Sequence, residues 1–352
     1  MKDFSFTKQL VLALLVAVAI AACHGVTTNN TPLTSSPTAA DCRTVSHNMG
    51  ETEICGQPQT IAVLGPNLLE LLLALDVQPA GFAGYFELSQ ANYDNPAQQI
   101  PYLGDRITTQ PVNLGQVFTP SIETLVELKP DLILVTEFHE AQYARLSQIA
   151  PTVLLDWFDA DQMNLQVVAQ AVGQPEKAEE LIAQRQQQIA AARAEFAPVV
   201  ATHPEVLMLN AEPVSSIYLV GKSDSCGSLI ADLGFQLVYP PGWDATDPKN
   251  SSVTVSWEAL SQLNNADSVV LFGSSNPGKF NPFKDMDTFE QQQLSPLQQS
   301  WKENAIAQSL NASKSGRVYF IPTYLCRGLP GPIGTELYLE ELKVQLLPAQ
   351  PQ

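Results

Sequence analysis

Few residues in this chain are spaced for chemistry on a substrate. The four histidines are His24, His47, His139 and His203. A zinc or manganese site needs several His and carboxylate ligands that converge, and this scatter points to no resident metal. The run Gly221-Lys222-Ser223-Asp224-Ser225 lacks the order of a nucleophile elbow. No Gly-x-Gly-x-x-Gly follows the apolar run 60–64, and no Walker-type loop occurs. A hydrolase using Ser223 or Ser225 with His139 is the enzymatic alternative these residues leave. What does recur is a carboxylate. Ser121-Ile122-Glu123-Thr124-Leu125 leads through Lys129-Pro130-Asp131 into Leu132-Ile133-Leu134-Val135. Ser256-Trp257-Glu258-Ala259-Leu260 leads through Ala266-Asp267 into Val269-Val270-Leu271-Phe272. In each copy a Ser stands at the N-cap of a short helix and an Asp in the turn before a buried strand. The Glu falls in the first helical turn, where the macrodipole alone favours it by about 0.3–1 kcal/mol. Two such units far apart imply two similar lobes, each presenting one carboxylate.

Those carboxylates need a scaffold, and the remaining pattern supplies it. Apolar runs of strand length at 60–64, 80–82, 132–136 and 152–155 alternate with helix-length segments, as they do in a mainly parallel α/β lobe. The second half repeats this grammar at 206–209, 217–220, 236–239, 268–272 and 318–321, and closes on an amphipathic helix over 334–347. Between the halves Ala178, Leu181, Ile182, Ile189, Ala192 and Phe196 recur at helical spacing from Pro175 to the residue before Pro198. This predicts a helix roughly 33 Å long at 1.5 Å per residue. The fold expected is α/β, with two Rossmann-like lobes (41–174 and 198–352) joined by one long helix (175–197). Such a connector is stiff, so no large hinge closure is expected.

Length and composition agree. The 352 residues are 45% hydrophobic, enough for two cores, and 18 Lys+Arg against 36 Asp+Glu give a net charge of −18. That field repels nucleic acid and anionic lipid. Lys2 and Lys8 precede an apolar stretch too short to span a bilayer, which ends Ile20-Ala21-Ala22-Cys23. Residues 1–22 therefore read as a signal peptide, and Cys23 resembles the lipidated first residue of a bacterial lipoprotein. Residues 23–40, rich in Thr, Ser, Asn and Pro, read as its tether. Export places Cys42, Cys55, Cys226 and Cys326 in an oxidising compartment, where four cysteines allow three pairings. Cys42–Cys55 and Cys226–Cys326, one within each lobe, are favoured.

Together these residues resemble a bacterial substrate-binding protein of the long-helix class, the group that serves ABC importers of ferric siderophores, haem and cobalamin. The likeness runs from Cys42 to the C-terminus. It rests on Gly50-Glu51-Thr52, Ile61-Ala62-Val63-Leu64, Tyr102-Leu103-Gly104-Asp105-Arg106, both Ser-x-Glu units and Ala231-Asp232-Leu233-Gly234. Cys42-Arg43 with Leu103-Gly104-Asp105-Arg106 looks most like the iron-siderophore branch. The resemblance implies a monomer without intrinsic cofactor or covalent chemistry, lipid-anchored at the periplasmic face of the membrane, or the extracellular face if the envelope has one membrane. Its ligand would be an iron(III)-siderophore, with cobalamin or haem as alternatives. Glu123 and Glu258 would dock on the ABC permease. The ligand would lie beyond the C-terminal ends of the strands, near Tyr85, Arg106, Glu137, Phe138, His139, Trp243, Tyr324 and Arg327. Arg106 and Arg327 are expected to face each other and hold an anionic chelate, for which a guanidinium offers a planar donor fork.

Overall fold

Strands without a polar face form the centre of each lobe. In the computed structural model Ile61–Leu64 (β3), Gly81–Gly84 (β4), Leu132–Thr136 (β7) and Thr152–Leu155 (β8) are buried along their whole length. Strands in a parallel sheet covered on both faces require this. Residues 42–85, 92–156, 162–212, 216–243, 252–273 and 285–348 are described. The signal segment, Cys23 and the tether to residue 40 lie outside them.

The N-terminal sheet has the order β6-β5-β4-β3-β7-β8, where β5 is Val112–Gln116 and β6 is Thr119–Pro120. All neighbours are parallel except β5 and β6. The order reverses between β3 and β7, so the carboxyl ends of these two strands flank the crevice where ligands settle on open α/β sheets. Ahead of this sheet lies a hairpin that the apolar pattern does not announce, β1 (Cys42–His47) with β2 (Gly50–Cys55). A disulfide joins Cys42 to Cys55 across its open end. Arg43 on β1 donates to the carbonyls of Gln170 and Ala171 at 2.7 and 2.6 Å. These are the last residues of the helix Gln162–Ala171, so a cation meets the negative end of a helix dipole.

The C-terminal sheet departs from the parallel expectation. It comprises β9 (Glu205–Glu212), β10 (Ser216–Val220), β11 (Gln236–Leu237), β12 (Ser252–Val255), β13 (Ser268–Gly273) and β14 (Val318–Pro322). The order is β12-β10-β9-β13-β14, with β11 also against β9. Strands β9, β11, β13 and β14 are parallel, but β10 runs antiparallel to both β9 and β12. Only three positions, 213–215, separate β9 from β10 in sequence, too few for a parallel crossover, which agrees with their antiparallel pairing.

The repeated unit serves the same purpose in both lobes. Asp131, just before β7, accepts N–H groups of Gln59 and Thr60 at 2.7 and 2.9 Å and donates its own N–H to the Thr60 carbonyl. Asp267, just before β13, accepts from Glu205 N at 3.0 Å and donates to the Glu205 carbonyl. Each Asp thus sets the register between its own strand and the central parallel neighbour. The preceding helices differ. Ile122–Leu128 (α2) is an α-helix capped by Ser121, whereas Glu258–Leu263 is a 3₁₀ turn, with Ser256 Oγ accepting from Ala259 N at 3.3 Å.

The linking helix is longer than the proline spacing predicts. It runs from Pro175 to Thr202 (α4), 28 residues and about 42 Å, straight through Pro198. A proline costs one backbone bond and a local clash, but this turn is held by tertiary packing. Phe196, Val199 and Val200 lie against the C-terminal core, while Ala178, Leu181 and Ile182 at the other end lie in the N-terminal core. The helix belongs to both hydrophobic interiors.

The interlobe cleft as candidate functional site

Residues at the carboxyl ends of strands from both lobes meet in a file of aromatic rings. Tyr85 follows β4, Phe118 lies in the turn between β5 and β6, Phe138 follows β7 and Tyr324 follows β14. Phe138 packs edge-on against Phe118 at 5.2 Å between centroids, Phe118 against Tyr85 at 6.3 Å, and Tyr85 against Tyr324 at 6.0 Å. The Tyr85–Tyr324 contact crosses from one lobe to the other. Tyr324 then stacks on Tyr102 at 5.8 Å and meets the edge of Phe289 at 5.4 Å. The file grades from buried to open, because Phe289 is 0% exposed and Phe118 and Phe138 are each 43% exposed.

Backbone geometry places Tyr102. Its φ is 61°, a left-handed conformation that few side chains adopt. That conformation stacks the ring on Tyr324 and lets the hydroxyl donate to Glu290 Oε1 at 2.8 Å, a bond between lobes. Two residues on, Gly104 is required because a Cβ there would stand 2.0 Å from the Pro96 carbonyl oxygen. Burial, and then the charge of Glu290, push the Tyr102 phenol far above its ordinary range. Burial also raises Glu290.

Arg106 and Arg327, expected to face each other and hold an anionic chelate, are each partnered by a carboxylate. Arg327 Nε and Nη2 lie 2.9 and 2.8 Å from Asp224 Oδ2, and Asp224 Oδ1 accepts from Cys226 N at 2.9 Å. Cys226 is in turn joined to Cys326, next to Arg327. The disulfide, the N-cap of the helix Ser225–Asp232 and the ion pair thus form one block. Arg106 Nη2 lies 3.5 Å from Glu336 Oε2, an exposed pair that bridges the lobes.

His139 is not a ligand-facing group. It is fully buried, with Nε2 2.6 Å from the Val117 carbonyl oxygen and Nδ1 3.3 Å from Thr136 N. Burial lowers its pKa, which favours the neutral ring. The 3₁₀ turn Glu137–Gln142 sends Phe138 outward and His139 inward, and Glu137 at its start is half-buried. Trp243 packs against the core of the C-terminal lobe and meets Tyr239 edge-on at 4.5 Å. Its contacts place it there and not in the file of rings. Glu123 and Glu258 are exposed, one on each lobe. Hydrogen bonds from its own backbone N–H and from Ser256 hold the Glu258 carboxyl below the ordinary range. Among the described residues the grouping with metal-ligand spacing is Cys42, Glu53 and Cys55, and both of its sulfurs are committed to the disulfide.

Beneath the rings the lobes are joined by a buried carboxylate. Glu70, on the helix Pro66–Ala74 (α1) of the first lobe, accepts N–H groups of Gly331 and Gly334 at 2.8 and 2.6 Å. These open the C-terminal helix Pro332–Leu346 (α7), whose positive end faces the carboxylate. Gly334 must lack a Cβ, which would stand 1.7 Å from the Leu329 carbonyl oxygen. Glu70, Tyr102, Phe118, Asp224 and Glu290 are not among the residues that sequence reasoning selects. Glu70 did carry a signal, as a lone carboxylate inside Pro66-Asn67-Leu68-Leu69-Glu70-Leu71-Leu72-Leu73. Tyr102 and Asp224 stand in runs already named but without the partners the structure gives them, and Phe118 and Glu290 carry no such mark.

Residues 61–325 match the model of the periplasmic binding protein family. The chain belongs to that family. It is 26% identical over 312 residues to the Fe(3+)-citrate-binding protein YfmC of Bacillus subtilis, covering 87% of this chain and 86% of that one. It is also 26% identical to the iron(3+)-hydroxamate-binding protein FhuD of the same organism, covering 87% of each. Among solved structures, Staphylococcus aureus SirA complexed with staphyloferrin B superposes with a TM-score of 0.66 at 23% identity, over 86% of this chain and 98% of that one. Bacillus subtilis FeuA complexed with ferri-bacillibactin gives 0.62 at 20%, over 87% and 100%. The two-lobed α/β architecture is the fold of these proteins.

Proposed function

We propose that this protein captures an iron(III)-siderophore between its lobes and delivers it to the membrane permease of an ABC importer. The observation that carries the reading is the file of rings from Phe138 to Phe289, which joins strand ends of both lobes and finishes in two half-exposed faces. The strand ends of open α/β sheets are where small ligands settle. The relatives that cover most of the chain are named for binding iron(III) citrate and iron(III) hydroxamate. Tyr85, Glu137, Phe138, Tyr324 and Arg327 border the ligand, and Glu123 and Glu258 meet the permease. Lipid on Cys23 and the tether 23–40 hold the body at the outer face of the membrane, where it works as a monomer. No step makes or breaks a covalent bond, so the protein acts by affinity and release.

Fluorescence of the four tryptophans reports binding. Titration with ferric hydroxamates, ferric catecholates, ferric citrate, haem and cobalamin should give saturable quenching with at least one ferric siderophore and none with haem or cobalamin. Silence toward every ferric chelate, or saturation by cobalamin or haem, refutes the reading.

A further inference from the structure

Resting on that reading, we propose that the cleft selects uncharged ferric chelates bearing aromatic rings over anionic ones, with Phe118 and Phe138 as the residues that set this preference. Two independent observations carry it. The first is charge. An anionic chelate needs uncompensated cations, yet Arg327 gives both Nε and Nη2 to Asp224 and Arg106 is paired with Glu336. Desolvating a multiply charged anion there is unfavourable, because its attraction to an arginine already paired with a carboxylate is weak. The net charge of −18 adds a long-range field of the same sign.

The second observation is the shape of the exposed surface. Phe118 and Phe138 meet at 88° between ring planes, each 43% exposed, and Phe118 continues the file through Tyr85 to Tyr324. Two rings at right angles offer one face and one edge to a third ring, the geometry that aromatic groups prefer. An aliphatic chelate gains burial there but not this matched contact.

Three model chelates separate charge from ring, each in excess free ligand with binding read by equilibrium dialysis of iron. Ferric tris(benzohydroxamate) is uncharged and aromatic, ferric tris(acetohydroxamate) uncharged and aliphatic, and ferric tris(catecholate) trianionic and aromatic. The aromatic uncharged complex should bind roughly tenfold more tightly than either of the others. Phe118→Ala and Phe138→Ala should each weaken it by roughly tenfold and weaken the acetohydroxamate complex, which loses burial alone, by distinctly less. Phe118→Leu, which keeps apolar bulk, should show the same selective loss with an unchanged melting temperature. Asp224→Asn, which leaves Arg327 uncompensated, should strengthen tris(catecholate) binding. Equal or tighter binding of tris(catecholate) by the wild-type protein overturns the selectivity and leaves the siderophore reading standing. Failure of all three, together with the ferric siderophores above, brings down both.

Discussion

Replacing Glu70 with Gln should remove one pH dependence from the stability of this protein. The side chain is fully buried between the lobes, and its oxygens accept the N–H groups of Gly331 and Gly334. Burial raises its pKa from 4.5 to about 7, against the pull of those N–H groups and of Arg185. In the unfolded chain the carboxyl ionises at its ordinary value. Between pH 4.5 and about 7 the folded state therefore keeps a proton that the unfolded state has released. The stability this group contributes is complete below its unfolded pKa and is lost as pH rises through its folded one. At about 1.36 kcal/mol per pH unit, the interval from 4.5 to about 7 amounts to about 3 kcal/mol. Urea unfolding of wild type and Glu70→Gln across this range measures the difference directly. Stability of the wild type relative to the variant should fall by about 3 kcal/mol as pH rises, while contributions from His47 and His139 cancel in the comparison. Parallel stability curves for the two proteins would refute the reasoning, because a carboxyl that does not titrate in this window is not the desolvated clamp described.

Breaking the Cys226–Cys326 disulfide, which closes a separation of 100 residues, should lower unfolding stability by about 4–5 kcal/mol in the chain-entropy model, read by denaturant titration of the double Cys→Ser variant. Glu123→Arg and Glu258→Arg should each cripple iron uptake by whole cells while ligand affinity stays within about twofold, since both side chains are exposed. An affinity loss in step with uptake would place them in ligand capture instead. Cys23→Ser should appear in the soluble fraction on cell fractionation, and retention in the membrane at wild-type levels would remove the lipid anchor.

The main divisions of the fold were written into local pattern. A run such as Leu132-Ile133-Leu134-Val135 has no polar face to turn to water, so it must be a covered strand. Ser121 caps its own helix within three residues. Such features depend on neighbours in the chain, and composition reads them. Pro198 misled because the residues that keep its turn helical, Phe196, Val199 and Val200, draw their stability from another element. The site was less legible for the same reason. An arginine in a loop after a strand looks like an anion's partner until Asp224, 103 positions away, takes donors on its Nε and Nη2. A histidine beside Phe138 looks like a ligand until the 3₁₀ turn carries it inward to the Val117 carbonyl. Tertiary structure alone decided which charges are spent on one another and which rings remain exposed. Desolvation and pairing depend on what stands within a few ångströms in space, and separation along the chain does not encode that distance.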